Sequence, residues 1–242
     1  MIGPIKRALL ATARSAGYEI VAIGPVFPAV NRRITMIAHH GVNTVVDVGA
    51  NTGQYASALR QAGYTEEIFS FEPLSEACRE LEKKSHSDPK WRVFHSAIGD
   101  ENGEAEINIA GNSESSSLLP MLESHIRSAP DSRYRATERV KVSTLDCILE
   151  PLLLKESRVL LKIDTQGYEH LVIQGAKALL PQVCLIECEL SLTALYEGQY
   201  LFRDMLDLLD GIGFKPVHFD SVFSDSKTGH CLQVDGTFVR SA

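Results

Sequence analysis

The stretch TVVDVGANTGQYASALRQAG, residues 44–63, decides the fold class of this chain of 242 residues. A β-branched run passes through a turn containing Gly49 and Gly53 and continues with helical spacing up to Gly63. A buried strand that runs through a glycine turn into a helix is a common way for α/β proteins to hold a nucleotide-like ligand. The stretch therefore predicts an α/β domain with a ligand at this turn.

Strands and helices alternate through the rest of the chain. The predicted strands are EIFSFEP, WRVFHSAIG, GEAEINIA, RVLLKID, VCLIECEL, FKPVHFD and CLQVDGTFVR, and the predicted helices are LSEACRELEKKS, EHLVIQGAKALL and FRDMLDLLDGIG. Such alternation predicts a mainly parallel sheet with helices on both faces. The last two strands are joined without a helix, so we expect an antiparallel hairpin at one edge.

Two segments stand apart from this alternation. Residues 1–40 are predicted to form an N-terminal helical cap, with one helix over 5–16 and a second through NRRITMIAHH, and residues 41–242 form the ligand-binding domain. Within that domain, the segment 110–139 is rich in Ser, Arg and Pro and has no sustained period. Long aperiodic segments in compact domains are usually lids, binding loops or disordered, so we predict a lid that is mobile without ligand.

Composition excludes several functional classes. The formal net charge is −7 and no long basic run is present, so nucleic acid is not an expected partner. No apolar run approaches the ~20 residues that cross a bilayer, and Arg14 interrupts the short apolar start, which disfavours a signal peptide. Five cysteines without CxxC spacing are typical of reduced thiols in a cytoplasmic protein. A homodimer is compatible with this sequence.

The glycine turn itself restricts the ligand. A dinucleotide fingerprint, G-x-G-x-x-G, fails because other residues occupy its later glycine positions. The pattern is Asp47-x-Gly49-x-x-x-Gly53, and a carboxylate beside the turn repels a pyrophosphate but attracts a cation. Glu72 ends the next strand, where a carboxylate can accept hydrogen bonds from both hydroxyls of a ribose. S-adenosylmethionine has a ribose, a positive charge and no phosphate, and it fits this pattern.

Several motifs carry a family resemblance. VVDVGANTGQYA, FSFEP, VSTLDCIL, LLKIDTQGYEHLVIQGA and the terminal VDGTFVR together resemble the FkbM family of S-adenosylmethionine-dependent methyltransferases, in order over residues 41–240. The resemblance implies the class I methyltransferase (Rossmann-like) fold, a seven-stranded sheet of order 3-2-1-4-5-7-6 with strand seven antiparallel. It also implies O-methylation of a small-molecule or glycan acceptor (a sugar, glycolipid, polyketide or other secondary metabolite), with S-adenosyl-L-methionine as cofactor.

The same resemblance implies cofactor-binding residues by their place in the motifs. For the methionine end and the helix beneath it they are Asp47, Gly49, Ala50, Asn51, Gly53, Gln54, Tyr55 and Asp164. For the ribose and adenine they are Phe71, Glu72, Pro73, Ser96 and Ala97, the last two placed at the end of the third strand. Many class I methyltransferases have an acidic residue near the adenine amine, where this chain offers Ser and Ala.

Methyl transfer to an alcohol needs a base, in-line geometry and a dry pocket. Such groups belong at the carboxyl ends of the strands. Asp164 follows the fourth strand and is predicted to be the base or to orient the acceptor, with an N-cap of the next helix as the alternative. Glu187 and Glu189 lie in the fifth strand, and Glu189, nearer the strand end, is the second catalytic candidate. Paired carboxylates could instead hold a divalent metal, but we assign none.

Four residues near the predicted site are polar and could contact the acceptor. Ser115 and Ser117 in the segment 110–139, together with Gln166 and Tyr168, are predicted to bind the acceptor. Four histidines could also serve as the base, and spacing singles out none of them: His95, His170, His218 and His230.

Two other functions stay open. One is a nicotinamide-dependent oxidoreductase, which the missing glycines disfavour, and the other is a catalytically inactive S-adenosylmethionine-binding partner protein.

Overall fold

A computed structural model describes residues 12, 13, 15 and 29–241 of the chain. The predicted helix over 5–16 lies outside the described residues, apart from three helical positions. The second predicted helix is present as α1, Ala29–His40. Among the described residues, no helix is both long enough and apolar enough to span a bilayer.

Ten strands and seven α-helices follow one another in the described part of the chain. The strands are β1 (Thr44–Val48), β2 (Glu67–Phe71), β3 (Trp91–Phe94), β4 (Ala97–Ile98), β5 (Gly103–Ala110), β6 (Tyr134–Ser143), β7 (Val159–Ile163), β8 (Val183–Ser191), β9 (Phe214–Ser224) and β10 (Cys231–Arg240). After α1, the helices are α2 (Gln54–Gln61), α3 (Ser75–Ser85), α4 (Glu123–Ser128), α5 (Leu145–Leu149), α6 (Glu169–Gln174) and α7 (Phe202–Gly211).

Seven of these strands form the main sheet in the order β3-β2-β1-β7-β8-β10-β9. β10 runs antiparallel to both of its neighbours, and the pairs from β3 across to β8 are parallel. Numbered along the chain within this sheet, the order is 3-2-1-4-5-7-6 with strand seven antiparallel. The predicted class I methyltransferase fold and the terminal hairpin are therefore confirmed.

Helices cover both faces of the main sheet because its central strands are apolar on both sides. Val45 and Leu160 pack on one face in a cluster that includes residues of α1, α2 and α3. Val46 and Leu161 pack on the opposite face with residues of α5, α6 and α7. This arrangement leaves the carboxyl ends of the parallel strands at one edge, where the glycine turn after β1 lies.

The predicted strand WRVFHSAIG is interrupted, so Ser96 and Ala97 do not end the third strand. β3 stops at Phe94, whose carbonyl accepts a hydrogen bond from the Ser96 N–H at 3.0 Å. The Ser96 hydroxyl donates to the carbonyl oxygens of Ala97 (2.8 Å) and Lys141 (3.2 Å) and fixes this turn. The chain then enters a second sheet of order β4-β6-β5.

The segment 110–139 connects the two long strands of the second sheet and is partly regular. It contains α4, a 3₁₀ turn (Pro130–Ser132) and the first residues of β6. Backbone hydrogen bonds in both directions join Asn108 to Ser117, and the Tyr134 hydroxyl donates to the carbonyl of Leu119 at 2.7 Å. Its predicted mobility without ligand stays a prediction.

Cys184 and Cys188 lie four residues apart in β8, but they face opposite sides of the sheet, although regular alternation would place both on one side. Cys184 packs with the cluster on one face of the sheet and Cys188 with the cluster on the other. A register shift in the pairing of β7 with β8 lies between Val159 and Leu160 and leaves Cys184 without a paired residue. A β-bulge of this kind inverts the alternation of side chains beyond it.

Candidate functional site

A cavity of about 620 Å³ opens at the carboxyl ends of the main-sheet strands. Its size lies within the range of roughly 300–1,000 Å³ that is usual for small-molecule sites. The predicted cofactor residues that line it are Gly49, Ala50, Asn51, Gln54, Tyr55, Phe71, Glu72, Pro73, Ser96, Ala97 and Asp164. The other predicted site residues that line it are Ser115, Ser117, Gln166, Tyr168 and Glu189. The structure thus brings these residues to one place, but Asp47 and Gly53 do not line the cavity.

Close packing explains both glycines of the turn after β1. Gly49 has a φ of +78°, and a Cβ there would collide with the carbonyl oxygen of Asp164. Gly53 has a φ of +84°, and a Cβ there would lie 2.7 Å from the Leu81 side chain. The turn is also tied to β2, since the Gly49 N–H donates to the Phe71 carbonyl at 3.0 Å. Gly53 is therefore needed for helix packing rather than for a ligand contact.

Glu72 directly follows β2 and joins the two loops that border the cavity. Its carboxylate accepts the backbone N–H of Asn51 at 2.8 Å and that of Leu74 at 2.9 Å. The side chain is nearly buried, and burial raises the pKa of Glu72 to about 7 although both hydrogen bonds act to lower it. Each carboxylate oxygen keeps a further lone pair for a ligand.

Lys162 lies at the floor of the cavity and was missed by sequence reasoning. Its ammonium stands 3.4 Å from Asp47 and 3.5 Å from Asp164, and it donates to the Gly49 carbonyl at 3.2 Å. Burial acts to lower the pKa of Lys162, but the charges of Asp164 and Asp47 outweigh it and raise the pKa. The lysine is therefore cationic, and Asp47 is buried beneath it. One sequence feature could have pointed to Lys162 as a site residue: it is the single charged residue in the otherwise apolar strand VLLKI.

Asp164 does not cap the following helix, so that alternative is wrong. α6 begins at Glu169 with Tyr168 at its N-cap position and no side-chain capping bond. Glu169 instead folds back, and its carboxylate accepts the N–H groups of Thr165 (2.9 Å) and Gly167 (3.1 Å). The Asp164 side chain is 38% exposed and lines the cavity.

Gln166 connects the two predicted catalytic carboxylates. Its side-chain N–H₂ donates to Asp164 Oδ1 and to Glu189 Oε2, both at 2.9 Å, and its carbonyl oxygen accepts the Tyr196 hydroxyl at 2.8 Å. Gln233 donates to the same oxygen of Glu189 at 2.6 Å. Burial and the charge of Asp164 raise the pKa of Glu189 well above its ordinary value. Glu189 therefore favours its protonated form and is a weak candidate for the base.

Glu187 holds the helical cap to the sheet rather than lining the cavity. Its two carboxylate oxygens accept hydrogen bonds from Arg33 Nε at 2.8 and 2.7 Å. The Tyr55 hydroxyl donates to the same carboxylate at 3.1 Å. The Arg33 guanidinium also lies over the Tyr55 ring, 4.4 Å from its centroid. These contacts give Glu187 a structural role.

The predicted acceptor-binding serines already have partners within the protein. The Ser117 hydroxyl donates to the Gln166 carbonyl at 2.7 Å, and the Ser115 hydroxyl accepts from the Asn112 amide at 3.0 Å. Both hydroxyls therefore shape the segment 110–139 around the cavity. Tyr168 lines the cavity, and burial raises its pKa.

Two further residues lining the cavity, His125 and Asp235, were not predicted. His125 lies on α4 and is buried, its Nδ1 has no hydrogen-bond partner among the described residues, and burial lowers its pKa to about 4. Asp235 lies in β10, within the motif VDGTFVR.

The four histidines considered from the sequence do not line the cavity. In the part of the chain that the structure describes, no group of three or more His, Cys, Asp or Glu side chains is arranged to hold a metal ion.

Comparisons with known proteins identify a family, a curated relative and similar solved structures. The profile of the Methyltransferase FkbM domain matches residues 47–216. The 2-O-methyltransferase NoeI of Sinorhizobium fredii is 28% identical over 186 residues, which cover 74% of this chain and 76% of that protein. An rRNA methylase from Streptococcus thermophilus aligns with a TM-score of 0.49 at 7% identity, covering 90% of this chain and 100% of that one. Magnesium protoporphyrin IX methyltransferase from Synechocystis, solved with bound SAM, aligns with a TM-score of 0.48 at 12% identity, covering 98% and 95%. Because the profile covers most of the chain, this protein belongs to the FkbM methyltransferase family.

Proposed function

We propose that this protein is an S-adenosyl-L-methionine-dependent O-methyltransferase acting on a hydroxyl group of a sugar, glycolipid, polyketide or other secondary metabolite. The observation that carries the proposal is the excess of carboxyl groups over cations in the cavity. Glu72, Asp164 and Asp235 line it as carboxylates, Glu189 lines it in its protonated form, and Lys162 is shared between Asp47 and Asp164. A cationic ligand is attracted to such a surface, whereas a pyrophosphate is repelled.

The residues present fit the cofactor part by part. Glu72 offers carboxylate lone pairs to the two ribose hydroxyls, and its position at the end of β2 matches the usual ribose site of such sheets. Pro73, Ala97 and Ile98 give the cavity an apolar wall against which an adenine ring can pack. Asp164 lies beside the glycine turn and supplies negative charge for the positively charged methionine end.

The bound cofactor would supply an electrophilic methyl group, so the protein has to position the acceptor and accommodate its proton. The amides of Gln166 and Gln233 fix the carboxyl groups at the strand ends and so preorganise this part of the site. Membership of the FkbM family and the name of the 2-O-methyltransferase relative both support a hydroxyl oxygen as the acceptor atom.

Calorimetry with S-adenosylmethionine, S-adenosylhomocysteine and NAD tests the cofactor assignment. Glu72→Gln is preferred to Glu72→Ala because glutamine keeps one of the two acceptor oxygens that bind the N–H groups of Asn51 and Leu74, whereas alanine removes both. We expect Glu72→Gln to weaken binding by about 1.5–3 kcal/mol, the scale of charge-assisted hydrogen bonds. Glu67→Gln, at the opposite end of the same strand and on the surface, is the matched control.

Tight NAD binding, or equal affinity in Glu72→Gln and wild type, would contradict the proposal. If S-adenosylmethionine binds as expected, a second experiment identifies the acceptor. The protein is incubated with methyl-labelled S-adenosylmethionine and fractionated host metabolites. Label in one fraction identifies the substrate class. Binding of the cofactor without transfer to any fraction would instead favour a catalytically inactive partner protein.

A further inference from the structure

Carboxyl groups lie side by side at the carboxyl end of the sheet, across β8, β10 and β9. Asp235 in β10 is directly opposite Glu189 on one side and Asp220 on the other. Opposite residues in antiparallel strands point to the same face, with Cβ atoms about 4.5–5.5 Å apart. Gln166 extends the row to Asp164 by donating to both Asp164 and Glu189.

Asp235 differs from the rest of this row because it has no partner. Asp220 is paired with Arg32 and His218, Asp164 with Lys162 and Gln166, and Glu189 with two amides. No hydrogen bond or ion pair joins the Asp235 carboxylate to any residue that the structure describes. Partly buried carboxylates are normally hydrogen-bonded. Asp235, which lines the cavity, is therefore an acceptor without a donor.

The position of Asp235 in the sheet indicates which ligand can supply that donor. Neighbouring strands are about 4.8 Å apart, and β10 is two strands from β7 and four from β2. The backbone of Asp235 is therefore about 10 Å from the strand before Asp164 and about 19 Å from the strand that ends at Glu72. A cofactor whose ribose lies at Glu72 leaves the Asp235 end of the cavity to the acceptor.

We propose that Asp235 accepts a hydrogen bond from the acceptor hydroxyl and takes its proton during methyl transfer. The inference rests on the proposed function and assigns the base for it. As the hydroxyl proton passes to the Asp235 carboxylate, the acceptor oxygen forms a bond to the methyl carbon. The bond between that carbon and the cofactor sulfur breaks, and its electron pair stays on sulfur. The proton on Asp235 is afterwards released to solvent.

The electrostatic surroundings suit this role. Burial and then the charge of Asp164 raise the pKa of Asp235 to about 6, while Lys162 and Arg33 act to lower it. A base in this range is largely ionised at neutral pH and still binds a proton better than an ordinary aspartate. The charged and titratable groups around Asp235 on the neighbouring elements are Lys162, Asp164, Glu187, Glu189, His218, Asp220, Arg32 and Arg33.

Carbon-13 NMR of the aspartate carboxyl groups tests the placement without requiring an acceptor. The signal lost in Asp235→Asn identifies Asp235, and Asp220→Asn, the next carboxylate in the row, is the control. The pKa of Asp235 is then compared in complexes with S-adenosylmethionine and S-adenosylhomocysteine, which differ by the methyl group and the charge on sulfur. If Asp235 lies beside the transferred methyl group, the sulfonium should lower its pKa by roughly one pH unit relative to the neutral sulfur.

The transfer assay tests the proton acceptance itself. With the metabolite fraction that takes up label and at saturating S-adenosylmethionine, Asp235→Asn should reduce transfer ~10²–10⁴-fold, with S-adenosylhomocysteine affinity and melting temperature near wild type. Equal Asp235 pKa values in the two complexes, or transfer within tenfold of wild type, would overturn the inference while leaving the methyltransferase assignment intact. Failure of S-adenosylmethionine to bind wild-type protein would instead refute the proposed function on which the inference rests.

Discussion

Replacing Lys162 with methionine is expected to destabilise the protein because it leaves a buried carboxylate without its cation. The Lys162 side chain is 13% exposed, and its ammonium stands 3.4 Å from Asp47, whose side chain is fully buried. The variant keeps the Ser70 hydroxyl, 3.4 Å away, as a hydrogen-bond partner for Asp47. Removing one member of a buried ion pair costs about 3–5 kcal/mol, which is a large share of the stability of an ordinary domain.

The stability lost in Lys162→Met should increase with pH. Burial already raises the pKa of Asp47 in the wild type, and the charge of Lys162 opposes that rise. Without Lys162 the folded-state pKa of Asp47 rises further above the unfolded value of about 3.9. Between those two values the folded state holds a proton that the unfolded state has released, so stability falls by about 1.4 kcal/mol per pH unit as pH increases. The difference from wild type should therefore be smaller at pH 5 than at pH 8.

Urea unfolding of Lys162→Met at several pH values measures this free energy. The double variant Lys162→Met/Asp47→Asn should recover most of the loss, because it removes the buried charge as well. Lys90→Met is the control: Lys90 pairs with Glu66 at 3.0 Å but on the surface, so its loss should stay below about 1 kcal/mol. Equal losses in the two lysine variants, or additive effects of the Lys162 and Asp47 substitutions, would refute the argument.

Two further predictions concern the cavity. Asp164→Asn should lower the pKa of Asp235 below about 6, in the direction of the ordinary aspartate value of about 3.9, because the charge of Asp164 is the main cause of the raised value after burial. The same carboxyl NMR titration measures it, and an unchanged pKa would show that the two charges do not interact. In the segment 110–139, hydrogen exchange should slow when S-adenosylhomocysteine and the accepting metabolite are both bound. Uniformly slow exchange in the empty protein would instead identify a rigid segment.

Much of the fold could be predicted because its signals are local. Strands buried on both faces are apolar at most positions, and the turn after β1 needs a left-handed residue where Gly49 stands. The bulge at Cys184 could not be predicted, because it exists only in the pairing of β8 with β7. The same holds for the break after Phe94, where the chain leaves one sheet for another.

The site was predicted in part for a related reason. Position at a strand end placed Glu72, Asp164 and Glu189 at the cavity, since parallel strands share one carboxyl edge. Lys162 was missed because its two carboxylate partners are distant in sequence from one another. Asp235 was missed because β10 is antiparallel, so its residues reach the same edge from the opposite chain direction.

The residue types at the carboxyl edge of the sheet show which side chains have suitable chemistry for binding the acceptor. Among them, a side chain that has no hydrogen-bond partner within the protein is the best placed to bind a ligand. The Ser117 hydroxyl donates to a backbone carbonyl, and Glu187 is held by Arg33 and Tyr55, so binding a ligand there would first break a contact within the protein. Asp235 has no such contact among the described residues, so a ligand hydroxyl would bind it without breaking a hydrogen bond within the protein. A hydrogen bond from a ligand to a charged carboxylate is stronger than one between neutral groups, so a hydroxyl donor at Asp235 contributes to acceptor binding. This difference, which no sequence pattern reveals, is the physical reason for placing the acceptor hydroxyl at Asp235.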